Sequence, residues 1–279
     1  MNQPLVSIII RTCQRPYVLE QALLSVQSQT YKNIEIVVIE DGSNVSEQFI
    51  YDNFSGLDIQ YVATMRKRGR SYAGNVGLNI AKGDFVNFLD DDDMLFSNHV
   101  QTLVDVLLQT KMLAAYSVAE ERQIQVYAKN PYKHKIKHKT IRYRQSFNRN
   151  LLYTFNYIPI QSIMFRRTLF EQLGGFDEKL ENLEDWDLWV RYSTITDFMF
   201  VNQITSCYHV PVKNKDKRIR SVEMREHLAL VLQNFESYNV NMNVKKINDE
   251  MNYVIREYKN NGIMRYMRMF FRAIFFGEK

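Results

Sequence analysis

The first hundred residues alternate between two periods. "LVSIII" (5–10) and "IEIVVI" (34–39) are short β-branched runs, and the stretch between them, Pro16 to Gln29, carries Leu19, Leu23, Leu24 and Val26 at helical spacing behind a proline suited to a first turn. A second helical stretch from Val45 to Phe54, a strand at "DIQYVA" (58–63), a helix over "SYAGNVGLNIA" (71–81) and the strand "FVNFL" (85–89) continue the pattern. Strand and helix in alternation predict an α/β fold: a parallel, doubly wound sheet with both faces covered. In such sheets ligands sit beyond the carboxyl ends of the strands. Polar residues fall at those ends: Arg11, Thr12 and Arg15 after the first strand, Glu40, Asp41 and Gly42 after the second, and Asp90, Asp91, Asp92 and Asp93 after "FVNFL".

Four adjacent aspartates repel one another, and like carboxylates a few ångströms apart raise one another's pKa. A cation relieves that cost. In an extended exit from the strand, Asp90 and Asp92 project to one side and Asp91 and Asp93 to the other. Several carboxylates at a strand end suit a hard divalent ion, Mn²⁺ or Mg²⁺. The competing account is a solvated acidic turn capping the helix that follows, a role Asp93 alone can fill.

Beyond residue 100 the periodicity weakens. A helix over Asn98–Gln109 precedes two short apolar runs, "MLAAYSV" and "IQVYA", and then "IQSIMFRR". "LFEQLGGFD" reads as a helix stopped at Gly174. "LEDWDLWVRYST" fits a short amphipathic helix, and the pattern is helical from about Ser221 onward. The division expected is residues 1–215 as one domain, with halves 1–100 and 101–215, followed by a helical extension over 216–279.

With 279 residues, 46% hydrophobic and 13% aromatic, the chain can bury a full core. Its two cysteines, Cys13 and Cys207, have no CxxC spacing, which argues against a disulfide framework or zinc cluster and for a reducing compartment. No basic lead-in with a long apolar segment opens the sequence, and no run of about 18 apolar residues occurs. A cytoplasmic protein, soluble or peripheral on the inner membrane face, is expected. The net charge of +5 is unevenly placed: no acidic residue lies between Glu121 and Glu171, while Lys133, Lys135, Lys137, Lys139, Arg142 and Arg144 crowd the basic segment 129–149. In the tail "GIMRYMRMFFRAIFFGEK" (262–279), Arg265, Arg268 and Arg272 form one stripe beside an apolar one. That tail predicts either a closing helix packed on the domain or a helix lying on an anionic membrane surface.

Four stretches in order carry a resemblance. "VSIIIRTCQRPYVLEQALLSVQSQTYKNIEIVVIEDGSN", "GNVGLNIAKGDFVNFLDDDD", "GGFDE" and "EDWDLWVR" resemble the inverting family 2 glycosyltransferases of the GT-A fold, over roughly residues 4 to 210. The resemblance implies a Rossmann-like mixed sheet, a UDP- or dTDP-sugar donor, a glycan or lipid-linked acceptor, and no nucleic acid. It makes Asp92 a metal ligand and Asp90 a ribose or metal contact, and it sets Asp91 and Asn75 in the donor site. It favours Asp41 as acceptor for the imide N–H of the base over its alternative as an ordinary Asp-Gly turn residue. Thr12 can meet base or ribose and Arg15 phosphate, or both can be turn residues. His209, in "CYHVP", is either a metal or phosphate contact or a structural histidine.

Inversion at an anomeric carbon needs one general base. On a helix, Asp185 and Asp187 point about 200° apart, so only one can face the crevice; the resemblance selects Asp185. Glu184 or Asp187 then serves the helix N-terminus, and Trp186 and Trp189 are core or acceptor-stacking residues. The sequence departs from the family in two places. Glu40-Asp41-Gly42-Ser43 stands for Asp-Asp-Gly-Ser, and Ala73-Gly74-Asn75 stands for Ala-Arg-Asn, which removes an arginine contact. Two other classes compete. A nucleotidyltransferase would bring a glycine-rich loop with a lysine, which "RTCQRPY" lacks. A nucleic-acid-binding module could use the basic 129–149 segment with Tyr132 and Tyr143, but the acidic crevice would repel a polyanion.

Overall fold

The computed structural model describes residues 3–212 and 217–236; the amphipathic tail at 262–279 lies outside them. The first half follows β1 (Val6–Thr12), α1 (Pro16–Gln27), β2 (Ile34–Glu40), α2 (Glu47–Phe54), β3 (Ile59–Ala63), α3 (Arg70–Ile80) and β4 (Phe85–Asp90). These strands lie side by side as β3-β2-β1-β4, all parallel. All seven residues of β1 are buried, because helices cover both faces. Ile8 and Ile10 point into a core shared with Leu19 and Leu23 of α1, while Ile9 points into the opposite core with Ala73 and Leu78 of α3. Each such side chain contributes about 1.5–3 kcal/mol on burial.

The chain then turns the sheet from parallel to mixed. β5 (Met94–Leu95) and α4 (His99–Gln109) lead to β6 (Ala114–Lys129), β7 (Tyr132–Ile141), α5 (Arg149–Leu152), β8 (Ile163–Arg166), α6 (Arg167–Leu173), α7 (Glu184–Ser193), β9 (Phe198–Pro211) and α8 (Lys217–Phe235). The sheet continues from β4 as β8-β6-β9-β5, and β7 folds back on β6 as a hairpin. β8 runs antiparallel to both β4 and β6, while β9 is parallel to β6. The two apolar runs expected at "MLAAYSV" and "IQVYA" are one strand of 16 residues, and the basic segment contributes its partner β7. α6 ends at Gly174, whose φ of 76° suits a residue without Cβ.

Two features aim the site. β5 begins at Met94, directly after the aspartates, and pairs Met94 with Cys207 of β9. The acidic run therefore bridges β4 to β9 and does not lead into a helix, so Asp93 caps none. α3 lies close on the sheet: a Cβ at Gly77 would sit 2.4 Å from Ile9, and one at Gly74 would sit 2.5 Å from the Phe176 ring.

Candidate active site

One guanidinium organises the strand ends. Arg11, 5% exposed, donates from Nε and Nη2 to Asp90 Oδ1 (2.9 and 2.7 Å) and from Nη1 to Glu184 Oε1 (3.0 Å). It thus ties the ends of β1 and β4 to the start of α7. Burial pushes the Asp90 carboxyl up, but Arg11, helped by Arg70, outweighs it and holds the group below its usual range.

The four aspartates divide by side, as a strand exit requires. Asp91 and Asp93 are buried, and Asp90 and Asp92 are partly exposed. Asp91 accepts from Thr12 Oγ1 (2.7 Å) and from Arg15, yet burial still pushes its carboxyl up to about 7. Asp93 accepts the backbone N–H of His209 (3.0 Å), and burial together with Asp92 raises it well above the carboxylate range. Asp92 is the open one: its side chain is 38% exposed, with Arg15 Nη1 at 3.6 Å from Oδ2.

His209 lies against that carboxylate's own backbone. Its Nδ1 bonds the carbonyl oxygen of Asp92, and its Nε2 is buried without a hydrogen-bond partner. Among the described residues, no three His, Cys, Asp or Glu side chains are already placed to hold a metal ion. The donor set still fits a hard divalent ion of the Mn²⁺ or Mg²⁺ type, which takes one or two carboxylates and completes its shell from substrate phosphates and water. Asp92 and Asp90 offer the carboxylates, and the orphaned Nε2 offers a bare lone pair nearby.

At the end of β2, Asp41 accepts the backbone N–H groups of Arg68 (2.7 Å) and Gly69 (2.9 Å), holding the loop that enters α3. A carboxylate has about four acceptor positions, so room for a further donor remains. Glu40, which stands in the family's first Asp position, is fully buried and gathers the amides of Gln14, Val45 and Ser46 and the hydroxyl of Tyr61. The structure does not bring Asn75 into the crevice. Its oxygen accepts from Phe176 N (2.7 Å) and its nitrogen donates to Phe176 O and Glu178, pinning α3 to the "GGFDE" loop. Phe176 in turn fills the space above Gly74, where an arginine would collide with it. The guanidinium on this face comes one turn earlier: Arg70 lines the cavity, 3.9 Å from Glu184.

α7 supplies the second acid. Leu183, at φ 64°, turns the chain so that α7 opens on Glu184 and Asp185. Asp185 accepts Trp186 N–H at Oδ1 and Asn156 Nδ2 at Oδ2, each at 2.8 Å. Burial, then the neighbouring Glu184, pushes its carboxyl up to about 7. Asp187 is turned away and buried, bonded to Arg191 (3.0 Å) and to Asn234 of α8 (3.0 Å). Trp186 reaches Leu152 O through its indole N–H, and Trp189 is wholly buried in the core.

Asp90 and Asp185 face a common cavity of about 600 Å³. Its far wall is polar in a way sequence reasoning missed. Arg142 grips Glu121 at 2.7 and 3.0 Å, and the Tyr208 hydroxyl donates to the same carboxylate at 3.0 Å. Charge density alone places Arg142 on a solvated basic patch. The available signal is the period of two along β6, which puts Glu121 on the same face as the buried Ser117 and Ala119.

A protein of Rickettsia prowazekii named as an uncharacterized glycosyltransferase is 29% identical over 206 residues, covering 72% of this chain and 62% of that protein. The Campylobacter jejuni GalNAc(5)-diNAcBac-PP-undecaprenol beta-1,3-glucosyltransferase is 38% identical over 104 residues, 36% of this chain and 34% of that one. The matched region thus spans less than two thirds of either relative. The crystal structure of S. aureus TarS 1–349 in complex with UDP-GlcNAc superposes with a TM-score of 0.67 at 15% identity, covering 92% of this chain and 74% of that one, a likeness of fold. The family description "Glycosyl transferase family 2" matches residues 7–174, and the chain belongs to that family, with its GT-A architecture.

Proposed function

We propose that this chain is an inverting, metal-dependent glycosyltransferase that moves a sugar from a UDP- or dTDP-activated donor to a hydroxyl of a glycan or lipid-linked acceptor. The observation that carries the reading is Asp185: a carboxyl pushed up to about 7, held by two hydrogen bonds and lining the same cavity as Asp90. A base of that strength is half ionised near neutral pH and matched to taking a proton from an alcohol as it attacks. Asn156 and the Trp186 amide fix its oxygens, so the acceptor hydroxyl meets a defined lone pair. Arg11 pairs with both Asp90 and Glu184 and holds the Asp90 carboxyl low without adding free positive charge to the crevice. Asp92, with Asp90 and His209, would hold the divalent ion, which when bound supplies charge neutralisation to the departing diphosphate. The base of the donor would meet Asp41 and Thr12, and the phosphates Arg15.

Calorimetry with UDP tests the metal assignment independently of the sugar. Asp92→Ala removes the open carboxylate, and the gain in UDP affinity produced by Mn²⁺ should vanish while metal-free UDP binding and the melting temperature stay as in the native chain. Full retention of the Mn²⁺-dependent gain would refute the role of Asp92.

A further inference from the structure

The β6–β7 hairpin brings one histidine to the site that the reading above does not use. Along β7, Tyr132 and His134 alternate with Lys133 and Lys135, so the aromatic rings share one face and the lysines the other. The aromatic face turns toward the end of β9. The His134 ring centroid lies 4.9 Å from that of His209, with the planes tilted by 56°, and Tyr132 packs behind it at 5.5 Å. Each histidine has a buried nitrogen with no hydrogen-bond partner: Nδ1 of His134 and Nε2 of His209. Buried polar atoms are rarely left so, and here two of them sit on adjacent rings.

The state of one ring is fixed. A carbonyl oxygen only accepts, so Nδ1 of His209 carries the proton in its bond to Asp92 O, and Nε2 is a bare lone pair. Donation of the other ring N–H to a backbone carbonyl is the support that metal-ligating histidines ordinarily have. The spacing fits as well. An imidazole nitrogen about 2.1 Å from a metal puts the ion about 3.2 Å from the ring centroid, so two ligands on one ion have centroids about 4.6 Å apart at a right angle and about 5.3 Å apart at the tetrahedral angle. The observed 4.9 Å falls between these.

We propose that His134 and His209 act together as two imidazole ligands of the divalent ion beside Asp92, and that His134 thereby sets the site's choice of a nitrogen-accepting transition ion over Mg²⁺. This rests on the reading that a cation serves the donor at Asp92. Imidazole suits first-row transition ions, whereas Mg²⁺ demands oxygen ligands in near-ideal octahedral geometry. A second ring supplied by the hairpin therefore strengthens Mn²⁺ or Co²⁺ binding and leaves Mg²⁺ nearly untouched. It also gives the hairpin a reason to reach over the acidic run.

The experiment titrates the folded chain with Mn²⁺, Co²⁺ and Mg²⁺ in the absence of nucleotide, using the Mn²⁺ resonance signal, the visible absorption of Co²⁺, and calorimetry. His134→Ala should weaken Mn²⁺ about tenfold or more, the scale seen when even a supporting partner of a ligand is removed. It should alter the Co²⁺ bands and leave Mg²⁺ affinity unchanged, and His209→Ala should do the same. Unchanged Mn²⁺ affinity and an unchanged Co²⁺ spectrum in His134→Ala would overturn the proposal, as would equal losses for Mn²⁺ and Mg²⁺ or no binding of either transition ion by the native chain. His134→Gln keeps the size of the side chain and should behave as His134→Ala does; if it restores Mn²⁺ affinity, the ring is packing and not a ligand. UDP binding by the native chain is measured alongside. Its failure would sink the nucleotide-sugar reading while the nucleotide-free titrations still decide the role of His134.

Discussion

Replacing Asp185 with asparagine separates the catalytic demand at this position from the demands of the fold. The carboxyl is raised from 3.8 to about 7, chiefly by burial. At 1.36 kcal/mol per pKa unit, ionising it inside the protein costs about 4 kcal/mol more than in water. The sign follows from proton counting. Between about pH 4 and 7 the folded state keeps a proton that the unfolded chain has already shed, so stability falls as pH rises through that window and is flat above it. Asparagine mimics the protonated carboxyl, with one acceptor oxygen and one donor group, and does not titrate. Asp185→Asn should therefore match the native chain at pH 4 and exceed it by roughly 2–4 kcal/mol at pH 8, the lower figure allowing for charge shared with Glu184. Asp91 and Asp93, raised in the same direction, are common to both proteins and cancel in the difference. Urea unfolding at the two pH values measures it. In the same variant sugar transfer should fall by about 10²–10⁴, and the native enzyme should gain about tenfold in rate between pH 6 and 8 as the base ionises. A stability difference that is the same at both pH values would refute the burial argument, and near-native transfer would move the base to another residue, with Glu184 the nearest.

Two further outcomes are expected. Arg11→Met leaves Asp90 and Glu184 facing each other without their shared guanidinium, so stability should drop by about 3–5 kcal/mol; a loss under about 1 kcal/mol by urea unfolding would show that the carboxylates find other partners. Gly74→Ala puts a methyl 2.5 Å from the Phe176 ring and should destabilise by about 1–3 kcal/mol despite a helix-propensity gain of about 1 kcal/mol, with Phe176→Leu relieving part of the loss in a double-mutant cycle.

The first half of the fold was legible because β1, β2 and β4 are almost wholly buried and so read as unbroken apolar runs. The order of the helices followed from their period. The second half was not, because "AEERQ" interrupts the apolar pattern of β6 and suggests a loop where the chain runs straight. Those polar residues are lining, not connection: Glu121 is buried under Arg142 and Tyr208. A polar cavity wall breaks the hydrophobic signal on which strand recognition depends. The strand-end positions of Thr12, Glu40 and Asp90 came through, since a strand's end fixes where its polar groups emerge. Asn75 did not, because its position on α3 gave no sign that Phe176 and Glu178 would take up its whole amide.

The placement of arginines explains which acids remain chemically free. Arg11 sits between Asp90 and Glu184, Arg15 closes on Asp91, and Asp187 has Arg191. Each of these pairs ties one element's end to another, or a helix to itself. Asp92 and Asp185 are treated otherwise. Asp92 has only the outer nitrogen of a half-exposed Arg15 at 3.6 Å, and Asp185 has hydrogen-bond donors but no ion pair among the described residues. Burying a carboxyl without a contact counterion makes it costly to ionise, as the raised value at Asp185 shows. In the proposed reaction a cation would complete the open Asp92 and an acceptor's proton would complete Asp185. The fold thus leaves without a close ion pair the two acids that the proposed transfer would use, and the stability gain expected of Asp185→Asn measures what that arrangement costs at Asp185.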